Sequence, residues 1–84
     1  MPQPKLLKGF NLGLLDVQGL KCPLPVLRAR KFIKSVKIGE ELKVLATDPV
    51  APEDFKVFCE QSGQEFVSSN VIDGVINIIL RRKS

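Results

Sequence analysis

The sequence predicts an α/β fold: a two-layer sandwich in which a four-stranded mixed sheet carries both helices on one face. Three observations predict it. β-rich and helical runs alternate over 84 residues in the order β-α-β-α-β-β. The last two runs meet at Asp73-Gly74, a strong two-residue hairpin signal. Two helices in so short a chain cannot cover both faces of a four-stranded sheet, so the economical packing sets both on one face.

Residues 1–10 hold Pro2 and Pro4 and little pattern, and are expected to form a mobile tail ahead of a single domain over residues 11–84. Leu12–Gly19 is short, apolar-rich and closed by glycine, which predicts the first strand. Pro23 to about Val36 predicts the first helix, since proline suits the first turn, where its missing N–H has no partner to lose. Val26, Ala29, Ile33 and Val36 recur at helical spacing with Phe32 beside them, and Arg28, Lys31 and Lys34 project from the other side. Gly39 ends the unit. Leu42, Val44 and Ala46 alternate through Glu40–Asp48, the second strand. The second helix follows with Pro52 in its first turn, Glu53 and Asp54 at its positive end and Gly63 as its stop. Phe55, Phe58 and Cys59 form its core-facing side, and Ser62 falls at its fraying end. Glu65–Ile72 and Val75–Arg82 complete the hairpin.

The composition, 44% hydrophobic and 26% charged, is that of an ordinary globular domain. The apolar runs are too short to span a bilayer. The N-terminus lacks the continuous apolar stretch of a secretory signal, so no membrane association and a cytoplasmic location are expected. Histidine is absent, which removes the usual Cys–His and Ser–His nucleophile pairs. Two cysteines without histidine make a poor zinc site, and no Gly-rich phosphate loop of either common pattern is present. Without Trp or Tyr, and with five Phe that read as core, platforms for stacking bases are not evident and direct nucleic-acid binding is not expected.

The net charge of +4 is uneven. Between Val17 and Gly39 stand Lys21, Arg28, Arg30, Lys31, Lys34 and Lys37 with no acidic residue. Such a field is either a solvated helix face or a docking surface for an acidic protein patch or RNA. Cys22 lies inside it, at the helix N-cap or one residue before. There the helix start and Lys21, with Arg28 or Lys31, are expected to favour a thiolate and lower its pKa by at most about 1.5. Pro23 and Pro25 lack N–H groups, so the helix start is poor in donors. The prolines are expected to serve rigidity, bracketing Leu24 and holding the thiol outside the helix.

Two readings of Cys22 stand beside each other: a small residue at a loop–helix junction, or an offered sulfur. The flanking Lys21, the missing acids and the paired prolines favour the second. Cys59, on the apolar stripe of the second helix, reads as packing. A redox pair of Cys22 with Cys59 is disfavoured by their separation and the absence of CxxC.

The run LDVQGLKCPLPVLRARKFI resembles the signature of TusA-type (SirA-like) sulfur carriers with their Cys-Pro-x-Pro motif. The likeness continues through GEELKVLATDP, the acidic helix start at Asp54 and the Asp-Gly hairpin, covering about Leu14 to Lys83. The resemblance implies that Cys22 carries sulfur as a persulfide within the motif Pro23-Leu24-Pro25. It implies a donor that is a cysteine desulfurase, rhodanese-like or DsrE-like protein, and an acceptor cysteine on another protein. Destinations in the family are tRNA thiolation, molybdenum cofactor assembly and sulfur oxidation, and the resemblance implies no cofactor or metal. Lys21, Arg28, Lys31, Asp48 and Asp54 are the residues expected to meet partners, and the free protein is expected to be a monomer. Leu24 stands where members tied to tRNA thiolation commonly carry Glu, and Thr47-Asp48 where they carry an acidic pair. An apolar Leu24 implies altered partner choice. The alternative from another class is a small RNA-binding or regulatory module that uses the basic helix while Cys22 is structural.

Overall fold

The computed structural model describes residues 13–84; the tail expected over residues 1–10 and the Leu12 start of the first strand lie outside them. The described chain runs β1 (Gly13–Asp16), α1 (Leu24–Phe32) with a 3₁₀ turn (Ile33–Ser35), β2 (Glu41–Ala46), α2 (Ala51–Ser62), β3 (Glu65–Ile72) and β4 (Val75–Arg81). The sheet order is β1-β2-β4-β3. β1 and β2 are parallel, Gly13 opposite Leu42 through Asp16 opposite Leu45, while β4 runs antiparallel to both β2 and β3. This is the expected two-layer mixed-sheet architecture.

Alternation along β2 and β4 decides which face is covered. Leu42, Val44 and Ala46 pair with Leu80, Ile78 and Ile76, and all six are buried. Against them pack Ala29 and Ile33 from α1 and its 3₁₀ turn, and Phe55, Phe58 and Cys59 from α2. The Phe55 and Phe58 rings meet edge to face, with centroids 6.3 Å apart, the arrangement their quadrupoles favour. On the open face, Arg81 bridges two neighbouring strands, 2.6 Å from Glu41 and 3.2 Å from Glu65.

The first helix is shorter than the sequence suggests. Its α-helical part ends at Phe32 and a 3₁₀ turn carries the chain to Ser35. The expected stripe survives this change: Ala29, Ile33 and Val36 are buried, and Val26 and Phe32 partly so. A tighter last turn shifts phase by little over three residues. Gly63 stops α2 with a left-handed φ of 80°, its N–H and that of Gln64 both donating to the Cys59 carbonyl. Asp73 and Gly74 both have positive φ, 51° and 79°, as a type I′ hairpin requires.

Candidate functional site

β1 and β2 run in the same direction, so the loops that leave their C-terminal ends emerge side by side. In parallel sheets this is where crevices form. The loop after β1 leads through Val17–Lys21 to Cys22. The loop after β2 holds Thr47, Asp48 and Pro49. The second loop fastens the first: the Thr47 hydroxyl accepts from the Gly19 N–H at 2.9 Å, and the Asp48 carboxylate accepts from the Cys22 N–H at 2.8 Å. The other Asp48 oxygen accepts from Val50 N–H at 3.2 Å, just ahead of α2. One carboxylate therefore joins the cysteine loop to the start of the second helix.

Pro23 is the N-cap of α1, so Cys22 stands one residue outside the helix. The Lys21 carbonyl accepts from the Leu24 N–H, and the Pro23 carbonyl from Leu27, at 2.9 and 3.1 Å. Cys22 is exposed and free, and Cys59 is buried and free. The two prolines differ: Pro23 lies at the surface beside the thiol, while Pro25, in the first turn of α1, is buried. Pro25 thus anchors the motif to the core, a role the sequence alone leaves invisible. Leu24 and Leu27 are exposed.

The field at the thiol is opposite in sign to the expectation. The Cys22 thiol is held above its ordinary value, first by hydrogen bonding to the Asp54 carboxylate, then by slight desolvation and by the negative charges of Asp54 and Asp48. A carboxylate that accepts the S–H proton favours the neutral thiol, and negative charge nearby disfavours the thiolate. The segment around Cys22 has no acidic residue of its own, but the folded chain imports two from the β2–α2 region. Arg28 and Lys31 lie with Leu27, Arg30 and Lys34 around a shallow basic hollow on the outer side of α1. They do not share the groove of the thiol, and the expected cationic activation is replaced by acidic restraint.

That groove, of about 210 Å³, runs between α1 and α2 and is lined by Cys22, Pro23, Val26, Arg30, Asp54, Val57, Phe58 and Gln61. The Arg30 guanidinium lies over the Phe58 ring, 5.4 Å from its centroid. Of the residues picked out in the sequence, Cys22, Pro23 and Asp54 line this groove, and Asp48 holds the Cys22 backbone beside it. Lys21 flanks the thiol at the surface, and Arg28 and Lys31 stay apart. Val57 and Gln61, as groove walls, carried no motif signal; Thr47 was marked only as half of the pair Thr47-Asp48, and Val26 only as helix packing. Asp48 was marked by the resemblance alone, though an aspartate at a strand end readily folds its side chain back on nearby N–H groups.

No helix among the described residues is long and apolar enough to cross a membrane. The family model described as sulfurtransferase TusA matches residues 14–82. A protein of Neisseria meningitidis, a candidate sulfur carrier by its name, is 47% identical over 74 residues, covering 88% of this chain and all of that protein. The sulfur carrier protein TusA of Allochromatium vinosum is 40% identical over 68 residues, covering 81% of this chain and 90% of its own length. Among solved structures, the SirA-like protein of Desulfitobacterium hafniense superposes with a TM-score of 0.75 at 24% identity, over 87% of this chain and all of that one. The last likeness concerns the fold.

Proposed function

The chain belongs to the TusA sulfurtransferase family, and from that premise we propose that it is a sulfur carrier that holds sulfane sulfur as a persulfide on Cys22. One observation carries the assignment to this residue. Cys22 is the exposed thiol of the described chain, standing just outside a helix with its backbone N–H fixed by Asp48.

In loading, the Cys22 thiolate attacks the terminal sulfur of a donor cysteine persulfide. The donor S–S bond breaks, a new S–S bond forms at Cys22, and the donor cysteine leaves as a thiolate. Delivery repeats the exchange, with an acceptor thiolate taking the terminal sulfur and Cys22 leaving. Each step is thiol–disulfide-type chemistry without net oxidation. Pro23 and the buried Pro25 hold the loop so that the sulfur is offered outward. The donor is a cysteine desulfurase, rhodanese-like or DsrE-like protein in the cytoplasm. The acceptor is a cysteine in tRNA thiolation, molybdenum cofactor assembly or sulfur oxidation. Leu24, exposed beside the thiol, and the cations Lys21, Arg28 and Lys31 select among these partners, and the free carrier is a monomer.

Intact-mass analysis after incubation with a persulfide donor tests this reading. The expected result is a gain of one sulfur that cyanide removes, absent in Cys22→Ser and retained in Cys59→Ser. A persulfide that survives Cys22→Ser overturns it.

A further inference from the structure

The groove beside Cys22 has a charge pattern that restricts what can lie in it. At the thiol end stands Asp54, half-buried and in none of the ion pairs formed among the described residues. Asp48 is close by, but its two oxygens are occupied by the Cys22 and Val50 N–H groups. Val26 and Val57 make an apolar wall, with Val57 44% exposed. Arg30 and Gln61 line the groove as well, the Arg30 guanidinium lying over the Phe58 ring that also lines it. Lys21 adjoins the thiol in the chain yet makes no ion pair with Asp54.

We propose that this groove receives an extended partner segment bearing Lys or Arg beside the partner's sulfur-reactive cysteine, the cation pairing with Asp54 while an apolar side chain rests on Val26 and Val57. The proposal rests on the carrier reading for which sulfur is exchanged, and adds what the partner must present. An unpaired carboxylate beside a thiol repels an anionic segment and attracts a cationic one. It also raises the thiol's hold on its proton, so pairing Asp54 with a partner cation relaxes that restraint at the moment of docking. Recognition and activation are then one event. A segment with Asp or Glu beside its cysteine meets Asp54 unscreened and leaves its restraint on the thiol in place.

The test uses short cysteine peptides carried as 2-pyridyl disulfides. Cys22 displaces thiopyridone, forming the mixed disulfide as the pyridyl S–S bond breaks, and the released thiopyridone is followed by absorbance. Peptides of sequence Leu-Cys-Arg, Leu-Cys-Glu and Gly-Cys-Arg are compared on the whole chain. At low ionic strength the Arg peptide reacts about three- to tenfold faster than the Glu peptide, as an opposite charge several ångströms away in a wet groove predicts. Added salt shrinks that ratio. The ratio falls toward one in Asp54→Asn and is kept in Asp54→Glu, with thermal unfolding confirming that both variants fold. Val57→Glu slows Leu-Cys-Arg more than Gly-Cys-Arg. Equal rates for Arg and Glu peptides, or a ratio unchanged in Asp54→Asn, overturn the proposal. If the ratio holds but no donor loads Cys22, the carrier reading fails and the groove's charge selectivity stands. If Cys22 loads without any charge ratio, this inference fails alone.

Discussion

At the residue scale the two cysteines separate by environment. Cys22 is poised by carboxylates, whereas Cys59 lies in the core, where burial pushes its thiol from the ordinary 9.0 up to about 11. A folded pKa above the unfolded one means that the folded state holds the proton more tightly. Its contribution is therefore complete below pH 9 and lost as pH climbs toward about 11, roughly 2–3 kcal/mol in all. Urea midpoints measured at pH 7 and pH 10.5 should fall more steeply for the native chain than for Cys59→Ala. An equal fall in both would show that Cys59 does not titrate this way. The packing role of Cys59 was legible in the sequence because Phe55, Phe58 and Cys59 share helical spacing. The field at Cys22 was not. Its anchor Asp48 lies 26 residues away, and only the parallel pairing of β1 with β2 brings the two loops together. Local charge along the chain predicted the wrong sign for that reason.

At the scale of elements, hydrophobic period and turn chemistry placed every strand and helix of the described chain, because each signal is local. What those signals did not give was the depth at which elements meet. Gly13 opens β1 where the first helix unit crosses the sheet edge. A Cβ there would lie 3.0 Å from Val36 Cγ2, 3.1 Å from Leu42 Cδ1 and 3.2 Å from Phe32 Cε2. Phe32 of α1, Leu42 of β2 and Val36 just after the 3₁₀ turn would have to yield together. Overpacking of this kind costs roughly 1–3 kcal/mol, against a gain of about 0.4–1 kcal/mol from stiffening the unfolded chain. Gly13→Ala should lower stability by about 1 kcal/mol in urea denaturation, and Gly13→Val by more. An Ala variant as stable as the native chain would mean that α1 shifts outward at little cost. Pro25 teaches the same lesson. It reads as a bracket in the sequence, yet it is a buried residue in the first turn of the helix that follows the thiol.

At the scale of the whole molecule, the exposed thiol Cys22 lies at one end of the sandwich, where the parallel strands release their loops, and the proposed sulfur exchange is confined to that end. The far reaches of the chain are joined by Arg82. Its guanidinium donates to the carbonyls of Lys34, at 3.1 Å, and Val36, at 2.8 Å, across 48 and 46 residues of sequence. Its backbone also pairs with Gly39 and Glu40. A link spanning so much chain forms only after both the hairpin and the first helix are in place, so it belongs to the last stage of folding. Removing it should leave the folding rate nearly unchanged and open the molecule faster. In stopped-flow kinetics, Arg82→Gln should speed unfolding about fivefold, equivalent to about 1 kcal/mol, while refolding changes by less than about twofold. An equal slowing of refolding would place the contact in the transition state instead. In kinetic terms the residue is a clasp: it sets how long the native chain stays closed once formed, and so how long the restraint on Cys22 persists between encounters with its partners.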